Sequence, residues 1–478
     1  MTASLLLTLP EIILSLAAMA LMMAAAWMGD RSARLLSWLG VAALAGAAVA
    51  IPGLSGAGGT AFDGLFVADR FAAFAKILIY VAAAVSLVAA SGWFSRDGDY
   101  RSEYPVLILF SAVGMGMMAS AADLLTLYVG LELQSLAAYV LAAFQRRDDR
   151  SAEAGLKYFV LGALASGILL YGISLLYGFT GSTLFGEVHA ALGRDGVSTG
   201  ELFGIVFVLA GIAFKVSAVP FHMWTPDVYE GAPTPVTAFF ASAPKVAAMA
   251  LLTRVAIEAM GPATFEWRQI VIFMALASTI LGGVAAIGQP NIKRLLAYSS
   301  INNVGFVLIG LAAGTREGVA SVLFYLAVYV AMTLGSFLVV LRMRDSEGRP
   351  VETIASLSGL SSTRPWLAAG MAIFMFSLAG VPPLFGFWPK FLVFDAAVKA
   401  DLTWLAAVGI ATSVISAFYY LKIVKTMYFD DPAPAFAETR DPPQAVLIVL
   451  AAAFVSPLGY LAIPFLGAAA AAAAASLF

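Results

Sequence analysis

The stretch Gly211-Ile-Ala-Phe-Lys-Val-Ser-Ala-Val-Pro-Phe-His222 places Lys215 five residues before a proline inside an otherwise apolar segment. A cation is costly in hydrocarbon. Pro220 has no amide hydrogen, so the carbonyl oxygen of Val216 loses its helical hydrogen bond. Both features are tolerated where helices surround a polar cavity. The stretch therefore predicts a broken membrane helix beside a site that moves protons or ions.

The same combination of lysine and proline recurs elsewhere in the chain. Lys245 and Lys390 each follow directly after a proline within an apolar segment. The residues Ser217–Pro226 of the seventh apolar segment resemble Ala379–Pro389 of the twelfth in their order of prolines and aromatics. Those two segments would run in opposite directions, which predicts an inverted repeat with its working site near the middle of the membrane.

Composition places the chain among membrane proteins. Of its 478 residues 61% are hydrophobic and 12% are charged, unlike any water-soluble domain of this size. A net charge of −2 leaves no basic surface for nucleic acid. The chain has no cysteine and two histidines, and it has no glycine-rich phosphate loop, which argues against iron–sulfur clusters, c-type haem, structural zinc and bound nucleotide. Redox or ATP energy would come from another subunit.

An all-α polytopic fold follows from segment length, since a membrane span needs roughly 20 mostly apolar residues. About fourteen segments satisfy this rule, and the first is expected to be a retained helix because no basic region precedes it. The segments lie near 4–28, 33–52, 71–91, 104–120, 123–144, 154–178, 202–220, 235–258, 269–288, 294–313, 318–341, 366–400, 402–427 and 443–465.

Positive charge in the short loops predicts the orientation. Loops after odd-numbered segments carry sixteen lysines and arginines, whereas loops after even-numbered segments carry five. Both termini are therefore expected on the outer side of the membrane, with an even number of spans.

Four residues within the segments are candidates for proton transfer. Glu132 lies in the middle of the fifth segment, where a carboxylate is disfavoured unless it is protonated or paired. A pair of Glu132 and Lys215 could change protonation as a neighbouring charge changes, with Lys245 and then Lys390 as the next steps. The alternatives are a structural ion pair for Glu132 and, above all for Lys390, a side chain that extends to the membrane interface. Hydroxyl groups of Tyr298–Ser300 are candidates to hold water.

Other buried polar residues have less decisive settings. Lys157 could bridge Glu132 and Lys215, or it could simply pair with Glu153 one helical turn away. His222 lies seven residues after Lys215, on the same side of a regular helix, and could be a proton shuttle or a structural histidine. Lys76 is expected to extend to the interface. Arg254 is expected near the outer surface.

Three motifs together carry a family resemblance. Lys215–Tyr229 (KVSAVPFHMWTPDVY), Lys293–Gly305 (KRLLAYSSINNVG) and Ala379–Phe387 (AGVPPLFGF) resemble the antiporter-like membrane subunits of respiratory complex I. The resemblance covers nearly the whole chain. It implies fourteen helices, two inverted five-helix bundles formed by helices 4–8 and 9–13, broken helices seven and twelve, and proton half-channels joined by a polar axis.

The resemblance also implies roles for individual residues. Glu132 and Lys215 would be the charge-switching pair, Lys245 the central relay, and Lys390 the proton site on the exit side. Lys157 matches a further lysine of the axis in this family, and His222 lies within the first of the three motifs. All six residues are therefore expected to take part in proton relay.

The resemblance further implies an organisation and an environment. Residues 1–103 would hold helices 1–3, 104–260 the first repeat, 261–428 the second repeat, and 429–478 the last helix and an alanine-rich tail. No cofactor is expected on this chain, since NADH, FMN, iron–sulfur clusters and quinone would bind to partner subunits. The expected partners are the other membrane and peripheral subunits of complex I, including neighbouring antiporter-like subunits, within the lipid bilayer of the bacterial inner membrane.

Two alternatives remain open. The same motifs occur in Mrp-type sodium/proton antiporter subunits. A purely structural membrane spacer is the other alternative, although the lysines within the apolar segments argue against it.

Overall fold

A computed structural model describes residues 2–55, 58–194, 196–438 and 441–478. Arg440, one of the loop cations counted above, lies outside the described residues. The predicted all-α fold is confirmed, and the one sheet found in the described ranges is a small antiparallel pair, Gly59–Ala61 with Phe66–Ala68, in a loop.

Thirteen helical segments of the described chain are long and apolar enough to cross a membrane. The twelfth span is additional because a break leaves each of its halves too short by itself. The fourteen spans are α1 (Leu9–Met28), α2 (Ala33–Val49), α3 (Arg70–Asp97), α4 (Glu103–Ser120), α5 (Leu124–Ala142), α6 (Asp149–Thr180), α7a (Thr199–Val216) with α7b (Trp224–Gly231), α8a (Thr234–Phe240) with α8b (Ala243–Arg254), α9 (Thr264–Ile287), α10 (Ile292–Ala312), α11 (Arg316–Val340), α12a (Pro365–Ala379) with α12b (Phe387–Lys399), α13 (Thr403–Phe429), and α14a (Pro442–Val455) with α14b (Ile463–Ala474).

The predicted breaks in the seventh and twelfth spans are present, and both half-helices end in the same way. After α7a the chain turns at Ser217 with φ +66°, and after α12a it turns at Gly380 with φ +81°. A residue in this left-handed region terminates a helix, and glycine adopts it without the steric cost that a side chain imposes. Ser217 bears that cost, and its hydroxyl accepts a hydrogen bond of 2.6 Å from Thr225.

Besides the break between α8a and α8b, a further break that the sequence pattern did not predict divides the last span. α14a ends at Val455, and α14b continues through the alanine tail that had been placed outside the span. The backbone amide of Phe385, in the break of span 12, donates to the carbonyl of Val455 at 2.9 Å. The Phe385 ring also packs against Phe454 and Tyr460 on either side of the break in span 14. The two breaks therefore contact each other directly.

The centre of the bundle is formed by span 8, α10 and α11. In each of these spans 94% of the residues in the most apolar stretch are buried, whereas only 22% are buried in the stretch that includes α14b. Polar side chains on the three central spans are thus withdrawn from lipid, and their hydrogen bonds must be made within the protein.

An ionic cluster closes the end of the bundle where α10 begins. Lys293 is almost fully buried and pairs with Glu352 at 2.8 Å, and it also donates to the carbonyls of Glu230 and Ala232. Arg150 approaches the same Glu352 carboxylate at 3.0 Å. The cluster joins α6, α7b and α10 to the loop before span 12.

We expect the substitution Glu352→Gln to lower the free energy of unfolding by about 2 kcal/mol, somewhat less than the 3–5 kcal/mol for breaking a fully buried pair, because Glu352 is partly exposed. Burial raises the pKa of Glu352, but Lys293 and Arg150 outweigh it and hold the pKa below its usual range. A carboxylate with a depressed pKa stabilises the protein above its unfolded-state pKa, and this contribution disappears as pH falls through the folded-state value.

The measurement is the thermal unfolding midpoint of wild type and variant from neutral to acidic pH. The difference should be largest at neutral pH and should shrink in acid. Arg349→Gln is the matched control, since this exposed ion pair with Asp345 is worth at most about 0.5 kcal/mol. A difference for Glu352→Gln that is independent of pH would contradict the assignment.

Candidate functional site

Lys215 lies in the last turn of α7a and is buried against α5. Its ammonium group donates to the Ser135 hydroxyl at 2.6 Å and to the Tyr139 hydroxyl at 3.1 Å. Ser135 and Tyr139 are four residues apart, so one face of α5 supplies both acceptors. A lysine held by neutral hydroxyls keeps its hydrogen bonds without having its charge cancelled.

Glu132 lies on the same helix, three residues before Ser135. It is half-buried, and the Ser166 hydroxyl of α6 donates to its carboxylate. The predicted direct pair with Lys215 is not seen, since no ion pair joins the two in the described part of the chain. Glu132 nevertheless lies within one turn of Ser135, the hydroxyl to which the Lys215 ammonium donates. The structure thus brings both residues to one site, with the hydroxyl groups of α5 holding the ammonium.

Lys245, near the start of α8b, lies at the break of span 7. Its ammonium group donates to the Val216 carbonyl at 3.0 Å and to the Ser217 hydroxyl. The Val216 carbonyl is the one that Pro220 deprives of a helical donor. The rings of Trp224 and Tyr229 lie 5.3 and 5.9 Å from the ammonium nitrogen. Lys245 is therefore the hydrogen-bond donor for the carbonyl that the sequence had shown to be free.

Lys390, in the first turn of α12b, makes the corresponding contact at the break of span 12. It donates to the Ala379 carbonyl and to the Ser413 hydroxyl of α13, each at 3.0 Å. Its ammonium lies 4.8 Å from the centre of the Phe306 ring on α10. A cavity of about 540 Å³ between α12b and α13 reaches this lysine. Lys390 is only 5% exposed, so its side chain does not extend to the interface.

Hydroxyl and amide groups on α10, α11 and α13 form a hydrogen-bond network. The helix α10 also carries Phe306, which lies against Lys390. Ser299 and Tyr420 share a 2.5 Å hydrogen bond. Asn303 donates to Tyr420 at 3.2 Å and accepts from Tyr325 at 2.7 Å. Ser300, next to Ser299, is buried with no partner in hydrogen-bond geometry in the described chain. These groups can pass or hold protons in the interior, because a hydroxyl both donates and accepts.

The sequence matches a known family of membrane subunits. Residues 121–416 match the family model of the NADH:quinone oxidoreductase/Mrp antiporter transmembrane region, which is more than half of the chain. The chain belongs to this family. NADH-quinone oxidoreductase subunit N of Rhizorhabdus wittichii is 72% identical over 480 residues and aligns over 100% of both chains. Subunit N of Erythrobacter litoralis is 60% identical and aligns over 100% of this chain and 99% of its own.

Solved structures of the family agree with the fold. A chain of respiratory complex I from Thermus thermophilus superimposes with a TM-score of 0.80 at 32% identity, over 95% of this chain and 98% of that one. A chain of the Mrp complex from Dietzia superimposes with a TM-score of 0.82 at 24% identity, over 98% of each chain. The second comparison shows a shared fold alone. The resemblance of the three sequence motifs to this family is thereby confirmed.

Lys157 lies apart from the lysines at the helix breaks. It is 42% exposed and pairs with Glu153 at 2.7 Å and with Asp227 at 2.9 Å. Asp227 also pairs with Arg294 of α10 at 2.7 Å. The structure thus shows the i,i+4 pair with Glu153 that the sequence allowed, and it does not bring Lys157 into contact with Lys215.

His222 lies in the turn between α7a and α7b. It is half-buried, and its Nδ1 atom has no hydrogen-bond partner in the described chain. The seven-residue spacing from Lys215 does not put the two side chains together, because the helix already ends at Val216. A role for His222 would therefore be separate from the contacts of Lys215.

Sequence reasoning missed the acceptors Ser135 and Tyr139, as well as Tyr325, Asn303 and Tyr420. Serine, tyrosine and asparagine are common in membrane helices, so they carry no signal when the chain is read residue by residue. Ser135 and Tyr139 are the exception, since they follow Glu132 at three and seven residues and share its helix face.

We expect Gly380→Ala to destabilise the break of span 12. A side chain at φ +81° costs about 1–2 kcal/mol, and the added Cβ would lie 2.8 Å from Cδ of Lys390. The thermal unfolding midpoint of the purified protein measures this loss. Gly167→Ala is the control: it lies in α6 with open space around it, and alanine there should add about 0.5–1 kcal/mol. Equal midpoints for Gly380→Ala and wild type would contradict the role of Gly380.

Proposed function

We propose that this chain is the subunit N type of membrane-arm subunit of an NADH:quinone oxidoreductase and that it translocates protons outward. Three lysines buried at or beside helix breaks are the observation that carries the proposal, with 6, 2 and 5% exposure for Lys215, Lys245 and Lys390. Relatives that align end to end with this chain are named subunit N, which supports the assignment.

The placement of the lysines explains how a buried cation is tolerated without a carboxylate. Lys245 and Lys390 each donate to the last carbonyl of a half-helix, and Lys215 lies in the last turn of α7a. The C-terminal end of a helix carries partial negative charge, which favours a cation. Since this stabilisation is modest, the neutral form of each amine remains accessible and the lysine can release its proton.

Coupling in this proposal is electrostatic. A change in charge near Glu132 alters the potential at Lys215, whose own contacts are neutral hydroxyls. A change of about 1.4 kcal/mol in that interaction shifts the proton affinity tenfold. The proton passes from Lys215 towards Lys245 on the far side of the Val216–Ser217 turn, and then through the hydroxyl network of α10 towards Lys390.

The energy source in this proposal lies outside the chain. NADH oxidation, electron transfer and quinone reduction take place on partner subunits, which hold NADH, FMN, iron–sulfur clusters and quinone. No group of three or more potential metal ligands occurs within the described ranges. Loop charge supports an orientation with both termini outside. The bacterial relatives named subunit N support a place in the bacterial inner membrane, among neighbouring antiporter-like subunits.

We expect Lys215→Ala to lower coupled proton translocation by about tenfold or more, because positioned proton-transfer groups typically contribute 100-fold or more to a rate. The measurement is NADH-driven acidification of inverted membrane vesicles that contain the assembled complex, together with NADH oxidation by an artificial electron acceptor. The second activity should be unchanged, since it does not need the membrane arm.

Two further variants test the reason for this effect. Lys215→Arg keeps the charge but binds its proton too tightly to exchange it, so it should fail as Lys215→Ala does. Lys422→Ala, which removes an exposed lysine of α13, should leave translocation unchanged. Normal translocation in Lys215→Ala would refute the proposed function.

A further inference from the structure

A second buried polar cluster lies among α1, α3 and α4, outside the family motifs. The Lys76 ammonium is 2.7 Å from Oε1 of Glu11, and the two side chains are only 2% and 9% exposed. The expectation that Lys76 extends to the membrane interface is therefore wrong. Lys76 lies six residues after the start of α3, roughly 9 Å along the helix. The pair is thus buried well below the end of the bundle.

The hydrogen bonds of this cluster are incomplete. Neither carboxylate oxygen of Glu11 has a partner in hydrogen-bond geometry in the described part of the chain, even though the ammonium is close. The hydroxyl of Tyr80, one turn after Lys76, has none either. A Cβ atom on Gly116 would lie 2.6 Å from Oε1 of Glu11 and 3.0 Å from the Tyr80 hydroxyl. Glycine on α4 therefore makes the space in which the carboxylate and the phenol meet.

The nearby ion-pair cluster around Arg254 differs from the Glu11 cluster, because the hydrogen bonds of its arginine are complete. Arg254 is fully buried and makes two hydrogen bonds to each of Asp69 and Glu258, as well as one to the Ala119 carbonyl. All its partners are fixed in hydrogen-bond geometry, and an arginine does not release its proton. Asp69 precedes Lys76 by seven residues, which puts both on one face of α3. The Arg254 cluster therefore lies at the start of α3, and the Glu11 cluster lies about two turns further along the same helix.

We propose that Glu11, Lys76 and Tyr80 form a second proton-binding site, on the side of the membrane where α3 begins, separate from the lysines at the helix breaks. With Glu11 ionised and Lys76 charged, the site is neutral overall. A proton passes to the Glu11 carboxylate from the Tyr80 hydroxyl, which takes up another from water, so the phenol is restored and the site becomes a cation. Its release from Glu11 towards the nearer surface restores the ion pair, so no other reactant is needed.

The charges around the site favour such a cycle. A buried pair of opposite charges has no net charge, which limits the burial cost of its resting state. The Phe66 ring lies 4.7 Å from the ammonium and keeps Lys76 in place while Glu11 is neutral. Asp69, on the same face of α3 as Lys76, is held with Arg254 and Glu258 in a network of its own.

The inference rests on the proposed proton translocation, and the test separates the two. The double variant Glu11→Gln/Lys76→Met removes both charges, leaving no unpaired ion, and such a replacement is close to neutral for stability. We expect NADH-driven acidification by inverted vesicles to fall about tenfold or more, with unchanged NADH oxidation by an artificial acceptor. Glu11→Asp, which keeps a proton-binding carboxylate, should retain most of the transport. Normal transport in the assembled double variant would overturn the inference.

Tyr80→Phe keeps the test decisive if the double variant does not assemble. If the contact of the Tyr80 hydroxyl with Glu11 is only structural, Tyr80→Phe should at most lower the unfolding midpoint and leave acidification unchanged, whereas the proposed relay predicts slower acidification. Tyr104→Phe is the matched control, because its hydroxyl is also buried and unpartnered but lies among the rings of Phe94 and Phe144. Equal rates for Tyr80→Phe, Tyr104→Phe and wild type would overturn the inference.

Vesicles that contain the Lys215→Ala variant distinguish failure of the second site from failure of the proposed function. Loss of transport in Lys215→Ala with normal transport in the Glu11 and Tyr80 variants would refute the second site alone. Normal transport in Lys215→Ala would refute the proposed function and, with it, the basis of the second site.

Discussion

The contact between a lysine ammonium and the last carbonyl of a half-helix is the interaction on which the interior of this protein depends. Lys245 meets Val216 and Lys390 meets Ala379, each at 3.0 Å. In each case a proline, Pro220 or Pro383, lies four residues after the carbonyl and cannot donate to it. Lipid would leave both the carbonyl and the cation unsatisfied, and each satisfies the other within the bundle.

This constraint also determines where the third lysine can lie. Because Lys245 takes the Val216 carbonyl, Lys215 is left to bind across the interface to α5, where Ser135 and Tyr139 accept from it. Of the three lysines, Lys215 is thereby the one that donates to α5, the helix that carries Glu132. Two ammonium groups therefore lie on opposite sides of one turn and have different kinds of acceptor.

Local sequence was enough to predict the spans, the breaks at Pro220 and Pro382-Pro383, and the free carbonyl of Val216, since these depend on neighbours along the chain. It was not enough to predict which lysine would meet that carbonyl, because Lys245 is 29 residues away. The partner of Lys76 lies 65 residues earlier in the chain, and only the packing of both α1 and α3 on α4 brings the two together. For Lys157 the local sequence did predict the partner, since it pairs with Glu153 four residues earlier. The bridge from Lys157 to Glu132 and Lys215, which are distant in the sequence, has no supporting contact in the described chain.

The bond from the Phe385 amide to the Val455 carbonyl mechanically ties the last span to the segment that carries Lys390. A rotation of α12b that moves Phe385 would either break this hydrogen bond or move α14 as well. The alanine tail, lacking bulky side chains, lets α14b lie close against α3 and α11, so such a displacement would travel back to the N-terminal helices. The terminal helix therefore connects the N-terminal α3 to α11 in the centre of the bundle.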